Sequence, residues 1–225
     1  MTSYYAHKLA GRRLERCYDL ASPRVQEYLE AEIRHVTDRL GGARRVLELG
    51  CGYGRVALRL AEASRTIVGI DVALASLALG KTLAAPNGPC SFVLMDAAHL
   101  AFRAGAFDAV VCVQNGICAF SVDQERLLAE ALRVTRPGGR VLVSTYADRF
   151  WPYRLEWFEA QAAAGLLGPI DHVKSRDGAI VCTDGFSSGR LTPDELAGLA
   201  HRLGVEASVT EVDGACLFCE ITKSR

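Results

Sequence analysis

The residue types around position 50 are suited to holding a polar ligand. Three glycines stand at alternate positions: Gly50, Gly52 and Gly54. Glu48 comes two residues before the first of them, inside a short apolar run. Glycine allows unusual φ values and leaves room for a ligand beside the backbone. A buried strand that ends in such a turn and then enters a helix is a nucleotide-binding arrangement.

The spacing of these glycines narrows the class of ligand. A dinucleotide-binding fingerprint, G-x-G-x-x-G, would need glycine at position 55, where the chain has Arg55. A phosphate-binding P-loop would need Gly-Lys-Ser/Thr, which the stretch lacks. The segment from Arg45 to Arg55 instead resembles motif I of the class I S-adenosylmethionine-dependent methyltransferases. An NAD(P)-dependent oxidoreductase is the alternative that the glycines leave open.

The elements that position this loop alternate between strand and helix. Five short apolar runs between positions 45 and 146 predict parallel strands joined by right-handed crossovers. Asp213-Gly214 separates two further strand-like runs and predicts a hairpin. We therefore predict an α/β fold with a doubly wound, seven-stranded, mostly parallel sheet and a C-terminal antiparallel hairpin, as in the resembled family. Residues 1–43 are predicted to form an N-terminal helical cap or lid, and residues 44–225 the Rossmann-like part of a single structural domain.

The resemblance implies cofactor-binding roles for residues at the ends of the strands. In the family, the position of Glu48 lies near the amino-acid portion of S-adenosylmethionine. Asp71 is expected to accept both ribose hydroxyls, a task suited to two carboxylate oxygens. Asp96 is expected to accept the adenine amine, although an aspartate there also suits a helix N-cap. The predicted cofactor-binding residues are Glu48, Gly50, Cys51, Gly52, Gly54, Asp71, Val72, Asp96, Ala97 and Gln114.

The loop after the fourth strand faces the transferred methyl group in the resembled family. Asn115 in this loop is predicted as the catalytic residue, with a simple Asn-Gly turn as the alternative. The chain lacks the N/D-P-P-Y/F signature of relatives that methylate amino groups in nucleic acid or protein. Aromatic residues could box a cation, with helix packing as the alternative. The predicted acceptor-binding residues are Tyr5, Asn115, Tyr146, Arg149, Trp151 and Tyr153.

Methyl transfer from a sulfonium requires mainly the correct placement of the acceptor, because the donor is already activated. We therefore predict transfer from S-adenosylmethionine, with S-adenosylhomocysteine as product, to a small molecule. An N or O acceptor is favoured, and Cys118 beside the loop suggests a thiol or metalloid as the minor alternative. A non-catalytic S-adenosylmethionine-binding module is a third hypothesis. For an acceptor that must lose a proton, His172 and His7 are candidate bases.

The bulk properties limit the partners. Lys+Arg and Asp+Glu both number 26, and a balanced charge disfavours a nucleic-acid partner. No apolar run has the length of a membrane span or signal peptide, so we expect a cytoplasmic monomer or homodimer that binds no membrane. The eight cysteines are then expected to be reduced and buried. No metal is predicted, because strand alternation places Cys216 and Cys219 on opposite faces.

Overall fold

The structure, a computed structural model, describes residues 4–62, 66–120 and 122–224. Its strands form one seven-stranded sheet and one two-stranded sheet. The larger sheet contains β1 (Arg45–Leu49), β2 (Thr66–Asp71), β3 (Cys90–Leu94), β4 (Phe107–Cys112), β5 (Thr135–Tyr146), β8 (Ser208–Val212) and β9 (Cys216–Thr222). The smaller sheet pairs β6 (Ile180–Val181) with β7 (Ser187–Ser188).

The helices of the described residues precede, alternate with and follow these strands. They are α1 (Tyr4–His7), α2 (Arg12–Asp19), α3 (Pro23–Leu40), α4 (Arg55–Ala61), α5 (Leu74–Leu83), α6 (Gly116–Ala119), α7 (Gln124–Val134), α8 (Trp151–Ala163) and α9 (Pro193–Arg202). A single 3₁₀ turn, Asp148–Phe150, leads into α8. Both α3 and α9 begin with proline, which suits the first helical position because its missing N–H has no helical partner.

The strand order of the large sheet is β3-β2-β1-β4-β5-β9-β8. The first five strands pair in parallel, and β9 lies antiparallel between β5 and β8. Asp213 and Gly214 join β8 to β9 with φ of 57° and 62°, as a tight hairpin turn requires. The predicted α/β fold class, with its C-terminal antiparallel hairpin, is confirmed.

Helices cover both faces of the sheet. One hydrophobic cluster joins the sheet to α3, α4 and α8, and a second joins it to α7 and α9. Cys216 belongs to the first cluster and Cys219 to the second, so the two thiols lie on opposite faces as strand alternation predicts. Because β1 pairs with β2 on one side and β4 on the other, the winding reverses between β1 and β4. Ligands of open α/β sheets bind at such a switch point, beyond the carboxyl ends of the strands.

Several boundaries differ from those that the sequence suggests. The stretch Tyr4 to Cys17, which is amphipathic, divides into α1 and α2 at Gly11, whose φ is 57° and whose amide donates to Ser76 Oγ at 2.9 Å. Ser121, which has the spacing of a helix cap, lies outside the described residues. The side chain of Asp123 accepts the Arg126 amide at the start of α7, at 2.7 Å.

The central strands should carry much of the stability. The Leu47 side chain on β1 is fully buried, whereas Leu74 at the start of α5 is 65% exposed. We expect Leu47→Ala to lower the free energy of unfolding by about 2–5 kcal/mol, because it removes buried methyl groups and leaves a cavity. Leu74→Ala should change it by less than about 0.5 kcal/mol. Urea denaturation of both variants checks this, and equal losses would contradict the placement of β1 at the centre.

Candidate cofactor and acceptor site

The carboxyl ends of the first five strands open into one cavity. Its lining includes the glycine loop after β1, Asp71 after β2, Asp96 after β3, Gln114 after β4 and Tyr146 at the end of β5. Residues of α1, α2, α8 and the β6–β7 hairpin close the cavity from above. The cavity therefore lies at the switch point, where the topology predicts a ligand.

The glycine loop takes a conformation that other residues would adopt with strain. The φ values of Gly50, Gly52 and Gly54 are 69°, 55° and 87°. A Cβ on Gly50 would lie 2.2 Å from Phe120 Cζ, a ring that lines the cavity. Glycine is thus needed here both for its backbone conformation and for the space above it.

Asp71 fixes the loop to the end of β2. Its Oδ2 accepts the Gly52 amide at 2.8 Å, and its Oδ1 accepts the Ala73 amide at 2.8 Å. Burial raises the pKa of this carboxyl, and the two amide hydrogen bonds oppose that rise. Each carboxylate oxygen keeps a second lone pair. Asp71 can therefore hold the loop and still accept hydrogen bonds from a ligand.

Buried charged groups surround the start of α4. Glu48 is 3% exposed, and its Oε2 has no hydrogen-bond partner within the described residues. Burial raises the pKa of Glu48 to about 8, although Arg55 lowers it. Arg55 Nε and Nη2 also lack partners there, and the Arg55 guanidinium carbon lies 4.8 Å from the centre of the Tyr18 ring.

The nearest carboxylate to Arg55 comes from α3. Glu32 is fully buried, and its Oε2 lies 3.9 Å from Arg55 Nη2 without a hydrogen bond. Its Oε1 accepts Ser144 Oγ at 2.5 Å and the Gln114 amide at 2.9 Å. Burial raises the pKa of Glu32, and these hydrogen bonds and Arg55 oppose the rise. Two carboxylate oxygens and two guanidinium nitrogens with unused hydrogen-bonding capacity thus lie close together beside the loop.

The other predicted cofactor residues also line the cavity. Cys51 is buried beneath the loop, and Ala97 is buried beyond β3. Val72 also lines the cavity and is 45% exposed, so its apolar side chain is accessible to a ligand. Asp96 Oδ1 accepts the Ala98 amide at 2.8 Å within a turn, and no helix begins there, so the alternative of a helix N-cap is wrong. Its side chain is 48% exposed, and its Oδ2 lies 3.3 Å from His99 Nδ1.

Tyr5 and Tyr146 are the predicted acceptor residues that reach the cavity. Further residues line the cavity that the sequence did not predict, namely Tyr18, Trp157, Phe158, Gln161 and Phe186. Tyr18 on α2 donates to Gln114 Oε1, and Trp157 Nε1 donates to the Cys17 carbonyl at 2.8 Å. The helical cap is therefore attached to the acceptor wall. The only sequence signal for this wall is the aromatic spacing along α8.

Asn115 does not face the cavity. It is 2% exposed, its Nδ2 donates to the Gly189 carbonyl at 3.0 Å and to Ser188 Oγ at 3.2 Å, and its Oδ1 accepts Thr145 Oγ1 at 2.7 Å. Its φ of 61° is the left-handed conformation that asparagine tolerates in turns. The Asn115 side chain connects the β4 loop to β5 and to the β7 region, and it is not part of the cavity lining that a catalytic role would require.

The remaining predicted acceptor residues lie elsewhere. Arg149 is 72% exposed and pairs with Glu211 at 3.1 Å. Tyr153 is 42% exposed, and Trp151 lines a separate cleft with Arg154. All three residues follow β5, in the 3₁₀ turn Asp148–Phe150 and the first turn of α8, and none of them lines the cavity. Their roles in acceptor binding remain predictions without a contact to support them.

The described residues provide neither a histidine in the cavity lining nor a cluster of metal-binding side chains. His172 is 64% exposed beside Glu159, and no histidine lines the cavity. No cluster of three metal-binding side chains occurs among the described residues. The eight cysteines are free. Burial raises the pKa of Cys118 to about 11, so this thiol is uncharged near neutral pH.

Comparison with known proteins agrees with this geometry. Residues 46–139 match the family model described as a methyltransferase domain. A demethylmenaquinone methyltransferase of Beutenbergia cavernae is 35% identical over 150 residues, which cover 64% of this chain and 60% of that protein. The chain thus spans less than two thirds of this relative.

Solved structures share the fold over most of the chain. The PH0226 protein of Pyrococcus horikoshii OT3 superposes with a TM-score of 0.73 at 17% identity, covering 98% of both chains. A 1,6-didemethyltoxoflavin-N1-methyltransferase of Burkholderia thailandensis, with its substrate and S-adenosylhomocysteine bound, gives a TM-score of 0.61 at 18% identity and covers 87% of this chain and 80% of that one. These similarities support the predicted family, the class I S-adenosylmethionine-dependent methyltransferases, and the predicted cofactor.

The glycine loop offers a matched test of this site. Gly50 and Gly105 have φ of 69° and 68°, so Ala strains the backbone equally at both, by about 1–2 kcal/mol. A Cβ on Gly105 would meet only Arg136 at ordinary contact distance, 3.6 Å, whereas one on Gly50 displaces Phe120 into the cavity. We expect Gly50→Ala to weaken S-adenosylhomocysteine binding at least tenfold and Gly105→Ala to leave it unchanged. Calorimetric titration measures both affinities, and equal values would show that Gly50 lies outside the binding site.

Proposed function

We propose that this protein transfers a methyl group from S-adenosylmethionine to a nitrogen or oxygen of a small planar acceptor. The observation that carries the proposal is the set of buried, unsatisfied polar atoms beside the glycine loop. Glu48 and Arg55, which line the cavity, leave one acceptor oxygen and two donor nitrogens without hydrogen-bond partners in the described residues, and Glu32 behind them leaves a second acceptor oxygen. Unsatisfied buried polar atoms are rare in proteins and call for a ligand or another explanation.

The amino-acid end of the cofactor supplies the complementary groups. It carries one ammonium and one carboxylate, and the cluster offers carboxylate oxygens and a guanidinium in close proximity. A guanidinium is suited to a carboxylate, and a carboxylate accepts hydrogen bonds from an ammonium. Because the pKa of Glu48 is raised to about 8, this group is mostly protonated at neutral pH in the free protein. An ammonium beside it would favour its ionised form.

The strand ends provide places for the rest of the cofactor. Asp71 has free lone pairs for two ribose hydroxyls, and Asp96 has an accessible Oδ2 for an exocyclic amine. Val72 and Ala97 offer apolar surface for an adenine ring between these acids. These assignments extend along the cavity in the order amino acid, ribose, adenine, which is the order of the covalent structure.

When bound, S-adenosylmethionine supplies an electrophilic methyl group on a positively charged sulfur. The protein then has to place the acceptor near that methyl and exclude water. Phe158, Trp157 and Phe186 line the cavity, together with residues of α2. Flat aromatic walls suit a planar acceptor. The acceptors named for the two relatives above, a demethylated menaquinone and a demethylated toxoflavin, are also ring systems.

The proposed binding of the ribose by Asp71 can be tested with Asp108 as a matched control carboxylate. Asp108 at the opposite end of the sheet also accepts two backbone amides, those of Arg44 and Arg45, both at 2.8 Å. We expect Asp71→Asn to weaken S-adenosylhomocysteine binding at least tenfold, because a carboxamide offers only one acceptor oxygen. Asp108→Asn should lower stability without changing affinity. Calorimetry with S-adenosylhomocysteine and NAD measures this, and binding of NAD alone would overturn the proposed donor.

The role of Arg55 is tested with a ligand that lacks the amino acid. S-adenosylhomocysteine carries the carboxylate, and 5′-methylthioadenosine does not. We expect Arg55→Met to weaken the binding of S-adenosylhomocysteine at least tenfold, because a hydrogen bond to a charged group contributes about 1.5–3 kcal/mol. The affinity for 5′-methylthioadenosine should remain unchanged. Arg59→Met is the control, since Arg59 lies one turn further along α4 and pairs with Glu30 at 2.9 Å. Equal losses for both ligands would indicate that Arg55 only supports the fold.

A further inference from the structure

The aromatic residues that could have boxed a cationic substrate hold a cation of the protein itself. Arg154 on α8 is 1% exposed. Its guanidinium carbon lies 4.2 Å from the ring centre of Tyr146, 5.6 Å from that of Phe158 and 6.0 Å from that of Trp151. A second cation placed against the same rings would be repelled. This end of the cavity is therefore unsuited to a positively charged acceptor.

The charge of Arg154 is not compensated by an acid in the described residues. Its Nη1 donates to the Gly178 carbonyl at 2.7 Å, and its Nη2 to the Ser188 and Gly189 carbonyls at 2.7 and 3.1 Å and to Ser188 Oγ at 3.1 Å. All of these partners are neutral. Its Nε has no hydrogen-bond partner among the residues that the structure describes.

The carboxylates that face the cleft behind Arg154 do not neutralise it. Asp148 is 73% exposed and pairs with Arg190, and Asp177 is 93% exposed. Water screens both of these charges.

Burial raises the pKa of Tyr146. Among the charged groups around its hydroxyl, Arg154 acts most strongly and lowers this pKa, ahead of Glu32, which raises it, and Arg55, which lowers it. The positive charges therefore dominate the electrostatic potential around Tyr146.

On the cavity side of Tyr146, the polar groups available to an acceptor can all donate hydrogen bonds. Tyr5, Tyr146 and Gln161 line the cavity, and their side chains make no hydrogen bond within the described part of the chain. The acidic residues of the cavity lining are Glu48, Asp71 and Asp96, all at the cofactor end. Burial raises the pKa values of Tyr5 and Tyr146, so both hydroxyls keep their protons.

We propose that the acceptor is a planar ring with an acidic hydroxyl, bound as its oxyanion against the Tyr5 and Tyr146 hydroxyls, in front of the buried Arg154. This inference rests on the proposed function and names its acceptor class. An acceptor of this kind needs no base, which agrees with a cavity lining that contains no histidine in the described residues. Tyr146 would contact the oxyanion directly. Arg154 is a positioning residue, because it acts through the Tyr146 ring.

The transfer step balances without any proton movement. A lone pair of the acceptor oxygen forms the new C–O bond while the C–S bond breaks, and the electron pair of that bond remains on sulfur. An anion and a sulfonium thus become a neutral methyl ether and a neutral thioether. Because the charges cancel during the step, Arg154 stabilises the bound reactant more than the transition state. Removal of the Arg154 charge should therefore weaken acceptor binding without lowering the rate of methyl transfer in the bound complex.

The test uses the binary complex with S-adenosylhomocysteine and a coloured probe. 4-Nitrophenol absorbs differently as phenol and phenolate, and 4-nitroanisole is its uncharged methyl ether. We expect the complex to bind nitrophenolate at least about tenfold more tightly than 4-nitroanisole and to lower the pKa of the bound phenol by about one unit. Absorbance titration across pH measures the ionisation of the bound probe, and calorimetry measures both affinities.

Variants separate the charge from the fold. Arg154→Met should abolish the shift in the probe's pKa, and Arg154→Lys should keep most of it. Arg202→Met, at an exposed arginine of α9 that pairs with Glu125 at 2.9 Å, should leave the shift unchanged. Thermal unfolding and S-adenosylhomocysteine affinity establish that each variant is folded. If Arg154→Met does not fold, Tyr146→Phe tests the proposal instead. This variant should bind nitrophenolate about tenfold more weakly and should bind 4-nitroanisole with unchanged affinity.

The outcomes that would reject the acceptor class differ from the outcome that would reject the proposed function. Binding of the neutral phenol, equal affinity for both probes, a shift that survives Arg154→Met or an unaltered affinity in Tyr146→Phe would each overturn the inference. Preference for 4-nitrobenzoate over nitrophenolate would replace the ring hydroxyl with a carboxylate, and no binding of any probe to the binary complex would also reject it. Failure of S-adenosylhomocysteine itself to bind would instead reject the proposed function.

Discussion

The burial of the Glu32 carboxylate is the constraint on which the site depends. This side chain comes from α3, before the first strand, and accepts hydrogen bonds from Ser144 on β5 and from the Gln114 amide after β4. A carboxylate without solvent is costly unless hydrogen bonds and an opposite charge compensate it. Those compensating groups lie on separate elements, and Arg55 brings α4 into the same cluster. The cluster therefore fixes the helical cap, the glycine loop and two strand ends relative to one another.

The same constraint explains why the cap cannot be treated as an independent unit. Tyr18 on α2 lies over the Arg55 guanidinium and donates to Gln114, while Arg13 donates to the Gly165 carbonyl at 2.8 Å. These contacts cross from residues 1–43 to the larger part of the chain. We propose that the N-terminal helices cover the cavity as a fixed part of the same domain. Their movement would expose Glu32 and Arg55 to water together, so access to the site and the charges within it are coupled.

The cofactor side of the site could be predicted from sequence because one local rule places it. Parallel strands end at the same edge of a sheet, so Asp71 and Asp96 had to lie near the glycine loop. The acceptor side follows no such rule. Gln161 and Phe186 come from α8 and a short hairpin whose packing depends on distant contacts. Asn115 shows the opposite difficulty, since a polar residue at a strand end can turn inward when buried partners are available there.

The charges of the cavity are divided in a way that suits a reaction between opposite charges. Glu48, Asp71 and Asp96 lie at the end where a sulfonium cofactor would bind, and Arg154 lies behind the aromatic wall at the other end. In a cavity with little water, each charge acts over a longer distance than in solution. The acids favour the positive donor, and the guanidinium favours a negative acceptor. Bringing these two together neutralises both, so the products lose the electrostatic attraction that held the reactants. The same division of charge that gathers the substrates therefore favours release of the products.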